Sequence, residues 1–100
     1  MTDEGVQQRI DYCRRYKSES LDLSECGLST IPVEISNFTW LKNLDLSSNQ
    51  ISKIEGLESL VNLSTLDFSS NQILKIEGLE SLVNLSTLLL YYNQISKIEG

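Results

Sequence analysis

The 100-residue chain has no histidine, only two cysteines, and a single proline, tryptophan and methionine. Without histidine it lacks the side chain most used as a general base near neutral pH and the commonest metal ligand. Cys13 and Cys26 are too few for a disulfide framework and form no C-x-x-C pair, so neither zinc binding nor thiol catalysis is expected. The phosphate-cradling pattern G-x-x-x-x-G-K-[ST] is missing as well. No apolar run approaches the ~20 residues of a membrane span, and the opening MTDEGVQQRI has neither the basic start nor the apolar stretch of a secretory signal. These absences point to a noncatalytic cytoplasmic protein with no cofactor and no metal.

Positive charge is also scarce. The formal net charge is −6, and Arg9, Arg14, Arg15 and Lys17 supply half of the eight basic residues. From Ser18 onward four lysines face eleven carboxylates. Such a surface repels phosphate backbones and anionic lipid, which excludes nucleic acid and membrane as expected partners. The early basic cluster reads as a solvated helix face.

What the chain does have is repetition. Leu41 to Asn62 reads LKNLDLSSNQISKIEGLESLVN, Leu63 to Asn84 reads LSTLDFSSNQILKIEGLESLVN, and the two differ at four positions. A third copy, LSTLLLYYNQISKIEG, runs from Leu85 to Gly100. A fixed period of this length means that each unit is one supersecondary element that buries its apolar side against its neighbours.

Aligned, the copies give L-x-x-L-x-L/F-x-x-N-x-I-x-x-I-x-G-L-x-x-L-x-x. In L-x-L the apolar residues alternate, so Leu44 and Leu46 face one side of a short strand and Asp45 the other. Ile51, Ile54, Leu57 and Leu60 then recur every third residue, a spacing that suits tight 3₁₀-like turns on the return path. Asn49, Asn71 and Asn93 follow the strands, where an amide side chain can satisfy turn backbone groups of two successive units.

The pattern resembles the leucine-rich repeat family, and the K-I-E-G-L-E-S-L half is similar to the 22-residue subclass found in the regulatory subunit of protein phosphatase 1. The resemblance implies an α/β leucine-rich repeat solenoid: a parallel β-sheet on the concave face, short 3₁₀ or turn return segments, and a structural ladder of Asn49, Asn71 and Asn93. Residues 18–40 form a divergent first unit with Cys26 in the asparagine column, a substitution the family accepts. Units 41–62 and 63–84 follow, with an incomplete unit at 85–100. Phe38 and Trp40 are expected to thicken the core of the first unit. Asn37, Asn62 and Asn84 match the glycosylation acceptor pattern but read as repeat-surface asparagines.

Residues 1–17 are expected to form a capping helix. Val6, Ile10 and Cys13 share one face, with Asp3 placed to cap its start. The entry Tyr16-Lys-Ser-Glu-Ser-Leu-Asp-Leu-Ser also resembles that of bacterial leucine-rich repeat proteins, some of which carry a GTPase downstream.

Family resemblance places partner contacts on the concave strand face. Its first three rows are small and acidic, including Asp45 and Asp67, whereas the last offers Thr87, Leu89, Tyr91 and Tyr92. Tyrosine is favoured at interface hot spots, which makes Leu89, Tyr91 and Tyr92 the leading contact candidates, with Thr87, Asp67 and Asp45 beside them. Leu88, Leu90, Ile95 and Ile98 are expected to form an exposed core edge after the last strand. The expected function is a noncatalytic protein–protein interaction module, possible as a segment of a larger regulatory protein. The alternative is a self-associating structural or engineered unit, a homodimer through that edge.

Overall fold

The computed structural model describes residues 3–98, and the side chains of residues 4–96. The chain opens with helix α1 (Asp3–Tyr16) and continues through strands β1 (Ser20–Asp22), β2 (Asn43–Asp45), β3 (Thr65–Asp67), β4 (Lys75–Ile76), β5 (Thr87–Leu89) and β6 (Lys97–Ile98). A 3₁₀ helix (Val33–Asn37) stands between β1 and β2.

The alternation of L-x-L decides the sheet. Strands β1, β2, β3 and β5 pair in parallel in that order, with Leu21, Leu44, Leu66 and Leu88 in register. Each central leucine turns inward, and the flanking residues face outward on the concave side. Pairing continues past each strand: Leu23 donates to the Asp45 carbonyl, Leu46 to that of Asp67 and Phe68 to that of Leu89, each at 2.8 Å.

The return paths behave as their three-residue spacing predicts. In the second unit Leu60 donates to Leu57 at 3.0 Å and Leu63 to Leu60 at 3.1 Å, both i to i−3 bonds of the 3₁₀ type. The third unit repeats them at Leu82 and Leu85. A second, two-stranded parallel sheet also lies on the return side, pairing Lys75 with Lys97 and Ile76 with Ile98. Its strands are two residues long and carry too little alternation to be legible in sequence.

The core is a strip running the length of the stack, and Leu41, Leu44, Leu46, Ile51, Ile54, Leu57, Leu60, Leu63, Leu66 and Phe68 are fully buried. Burying one such side chain contributes about 1.5–3 kcal/mol. Burial falls off where only one side is covered. Leu79, Leu85, Leu88, Leu90 and Ile95 pack against the core but remain half-buried. The Ile98 side chain lies outside the described residues.

At the other end α1 covers the first unit with Val6, Ile10 and Cys13, all buried. Asp3 is the first residue of the helix, and its side chain lies outside those described. The helix stops at Lys17, whose φ of 49° is left-handed, while the Ser18 N–H reaches back to the Cys13 carbonyl at 3.3 Å. This is the six-to-one bond of a Schellman stop. A lysine in that conformation is strained, and its ammonium stands 4.3 Å from the centre of the Trp40 ring, a compensating cation–π contact.

Candidate functional site

The concave face is shaped by the turn that ends each strand. Asp22, Asp45 and Asp67 each accept, through Oδ1, the backbone N–H two residues later, at 2.9, 2.9 and 2.8 Å. Ser24 and Ser47 add a hydroxyl bond to the same oxygen at 2.6 Å. Each carboxylate thus closes an Asx turn, which leads the chain into a left-handed residue: Glu25, Ser48 and Ser70 have φ between 53° and 57°. For Asp22 the Ser24 hydroxyl and N–H hold the carboxyl below its ordinary pKa, burial opposes this, and Arg9 adds a smaller lowering.

The next residue in each unit fastens the turn inside. Asn71 Oδ1 accepts the Ile51 N–H at 3.0 Å, and its Nδ2 donates to Leu46, Phe68 and Ser69 carbonyls. Asn49 accepts from Cys26 and Leu28 and donates to Leu23, Leu46 and Ser47. Asn93 repeats the scheme with Ile73, Phe68, Leu90 and Tyr91. Cys26 occupies this column in the first unit, where its Sγ donates to the Ser24 carbonyl at 3.3 Å. Cys13 and Cys26 are both buried, and burial raises the pKa of each thiol, the environment of packing cysteines.

The fourth row breaks the pattern. Leu89 is in register with Asp67 but has no acceptor, so no side-chain cap holds the Tyr91 N–H. Leu89 is half-buried, whereas Tyr91 and Tyr92 are 65% and 86% exposed. Tyr92 takes the left-handed turn position with φ 55°. It therefore stands at the rim of the sheet, while Leu89 lies within the face.

Across the strands Ser20, Leu21, Asp22, Asn43, Leu44, Asp45, Thr65, Asp67 and Leu89 enclose a shallow hollow of about 210 Å³. Thr87 is exposed at the start of β5. Arg9 reaches Asp22 at 3.9 Å, but among the described residues no ion pair engages Asp45 or Asp67. Nor does any group of three histidine, cysteine, aspartate or glutamate side chains there suit a metal ion. The face offers hydrogen-bond acceptors, one apolar floor and exposed aromatic rings, a chemistry of recognition.

The family profile for two copies of leucine-rich repeats matches residues 19–59 and 61–100. The chain belongs to the leucine-rich repeat family. It is similar to Receptor-like protein 1 of Arabidopsis thaliana, with 40% identity over 66 residues that make up 61% of this chain and 6% of that protein. Among solved structures it resembles an internalin (inlF) of Listeria monocytogenes, with a TM-score of 0.55 and 29% identity over 71% of this chain and 25% of that one. The chain thus spans a small part of the length of either. Leucine-rich repeats of this kind serve as protein-interaction modules.

In leucine-rich repeat terms, Asp45, Asp67, Thr87 and Leu89 lie in the concave strands, Tyr91 and Tyr92 in the turn that follows β5, and the ladder column holds Asn49, Asn71, Asn93 and Cys26. Sequence reading missed two features. The D-x-S spacing is the signal for the Asx turns, and it is masked because aspartate at a strand's outward position reads equally well as free charge. A second, outer ladder also joins the repeats: Asn62 Nδ2 donates to the Thr39 carbonyl at 2.7 Å and Asn84 Nδ2 to that of Val61 at 3.0 Å.

The basic cluster, too, is already engaged. Arg9 donates to the Asp22 carbonyl at 2.9 Å, Arg14 to Asp11 at 2.7 Å, Arg15 lies over the Tyr16 ring and Lys17 over Trp40. Trp40 stacks on Phe38 with 4.7 Å between ring centres, a packing role in the leucine-rich repeat cap.

Proposed function

We propose that this leucine-rich repeat is a noncatalytic protein-binding module whose partner meets the concave face at its Leu89–Tyr91–Tyr92 end. The observation that carries this reading is the fourth row itself. A unit otherwise nearly copied from its neighbour gives up the turn-capping aspartate and exposes two tyrosines, one of them in a left-handed conformation that opposes folding. Large exposed apolar area beside polar rims marks interaction surfaces. We read the binding as regulatory on the resemblance of the K-I-E-G-L-E-S-L half to the 22-residue units of a phosphatase regulatory subunit.

A photo-crosslinking residue at Tyr91 tests the proposal against the same residue at Ser59 on the return side. Specific crosslinks to one protein from Tyr91, and none from Ser59, are expected. Equal yields from both positions would refute it. Self-association is the second reading, favoured by the half-buried layer of Leu88, Leu90 and Ile95. Light scattering at high micromolar concentration separates the two, since a strict monomer removes it.

A further inference from the structure

The concave face combines a charge without a counter-charge and an apolar floor one strand away. Asp45 and Asp67 are register partners in adjacent parallel strands, so their backbone positions are separated by the strand spacing of about 4.8 Å and their side chains leave the same face. Both commit Oδ1 to their own turn, which fixes the side chains and leaves Oδ2 to accept from elsewhere. Arg9 serves Asp22, while Asp45 and Asp67 are engaged in no ion pair among the described residues. All three carboxylates line the same hollow as Leu89, the register neighbour of Asp67.

Resting on the protein-binding reading, we propose that the occupant is an extended polypeptide segment crossing the strands, with an arginine at one position and an apolar side chain two residues later. The guanidinium bridges Asp45 and Asp67, and the apolar side chain covers Leu89 beside Tyr91. The spacing follows from the sheet: the midpoint between the two carboxylates lies about 7 Å from Leu89, which matches the i to i+2 repeat on one face of an extended chain. Arginine suits the site better than lysine, because its planar fork can donate to two carboxylates at once. Among the described residues the cation at this hollow, Arg9, pairs with Asp22 and no ion pair occupies Asp45 or Asp67, and the net charge of −6 steers a basic segment toward them.

The probe is the peptide acetyl-Gly-Gly-Arg-Gly-Leu-Gly-Gly-amide, titrated to millimolar concentration while the amide NMR spectrum of the full chain is recorded. Shifts are expected at Ser47, Ser69, Leu89 and Tyr91 and not on α1, with affinity falling as salt rises. The same peptide with citrulline in place of arginine keeps the shape without the charge and should bind about tenfold more weakly. Asp67→Asn should abolish the preference for arginine yet leave the turn closed, because asparagine Oδ1 still accepts the Ser69 N–H.

Equal binding of the two peptides, shifts confined to α1, or no shift at all would overturn the inference. If the peptide fails while the Tyr91 crosslink still captures one protein, the binding reading stands and only the arginine-led occupant falls.

Discussion

The side-chain oxygen of Asn71 takes the backbone N–H of Ile51, twenty residues earlier in the chain, at 3.0 Å. Its Nδ2 at the same time donates to Leu46, Phe68 and Ser69 carbonyls, so one amide ties two repeats together in a place water does not reach. Asn93 makes the same bonds in the last unit but is only half-buried.

Asn71→Ala therefore leaves a buried donor and buried carbonyls without partners, and should cost about 3 kcal/mol. Asn93→Ala should cost about 1 kcal/mol, because solvent can replace the lost bonds. Urea denaturation of both variants measures the difference, and equal losses would mean that burial does not set the worth of the ladder.

Tyr92→Gly should separate stability from binding. Glycine adopts φ 55° without the steric cost that tyrosine meets there, so the variant should be more stable by about 0.5–1 kcal/mol, net of the flexibility added to the unfolded chain. The Tyr91 crosslink should weaken in the same variant. A destabilised Tyr92→Gly would show that the ring contributes more packing than its 86% exposure allows.

Acid should loosen the first turn only below the ordinary carboxylate range, where the folded-state Asp22 finally takes up its proton. The Asp22 pKa is lowered in the folded state, chiefly by Ser24, so the native state binds fewer protons than the unfolded one. That contribution is present above the ordinary carboxylate pKa and is lost as pH falls through the folded value. Ser24→Ala should move the Asp22 titration upward in NMR, and an unmoved titration would show that the backbone N–H at position 24 and Arg9, not the hydroxyl, hold the carboxyl down.

Alkali acts on the thiols with the opposite sign. Cys13 and Cys26 have raised pKa values, chiefly through burial, so the unfolded chain ionises first and stability should fall as pH rises from the ordinary thiol value of 9.0. At neutral pH both should resist a thiol reagent until the chain unfolds. Mass spectrometry after pulse labelling in increasing urea tests this, and rapid labelling in buffer would show that α1 opens locally.

The period, the strand columns and the asparagine ladder were legible in sequence because each rests on local rules. Alternation places Leu44 and Leu46 inward, three-residue spacing gives the 3₁₀-type bonds at Leu60 and Leu63, and Asn49, Asn71 and Asn93 recur wherever the chain turns. The stripe of Val6, Ile10 and Cys13 similarly announced the helical cap.

Tertiary structure decided what those residues do with their polar atoms. Whether Asp67 is a free charge or a turn cap depends on the path of the chain to Ser69, and the fate of Arg9 depends on a carbonyl thirteen residues away. The depth of the last layer, from Leu85 to Ile95, depends on what stacks over it. Periodicity fixes which way a side chain points, because that follows from backbone geometry alone. Its hydrogen-bond partner and its exposure follow from neighbours that only the folded stack brings together.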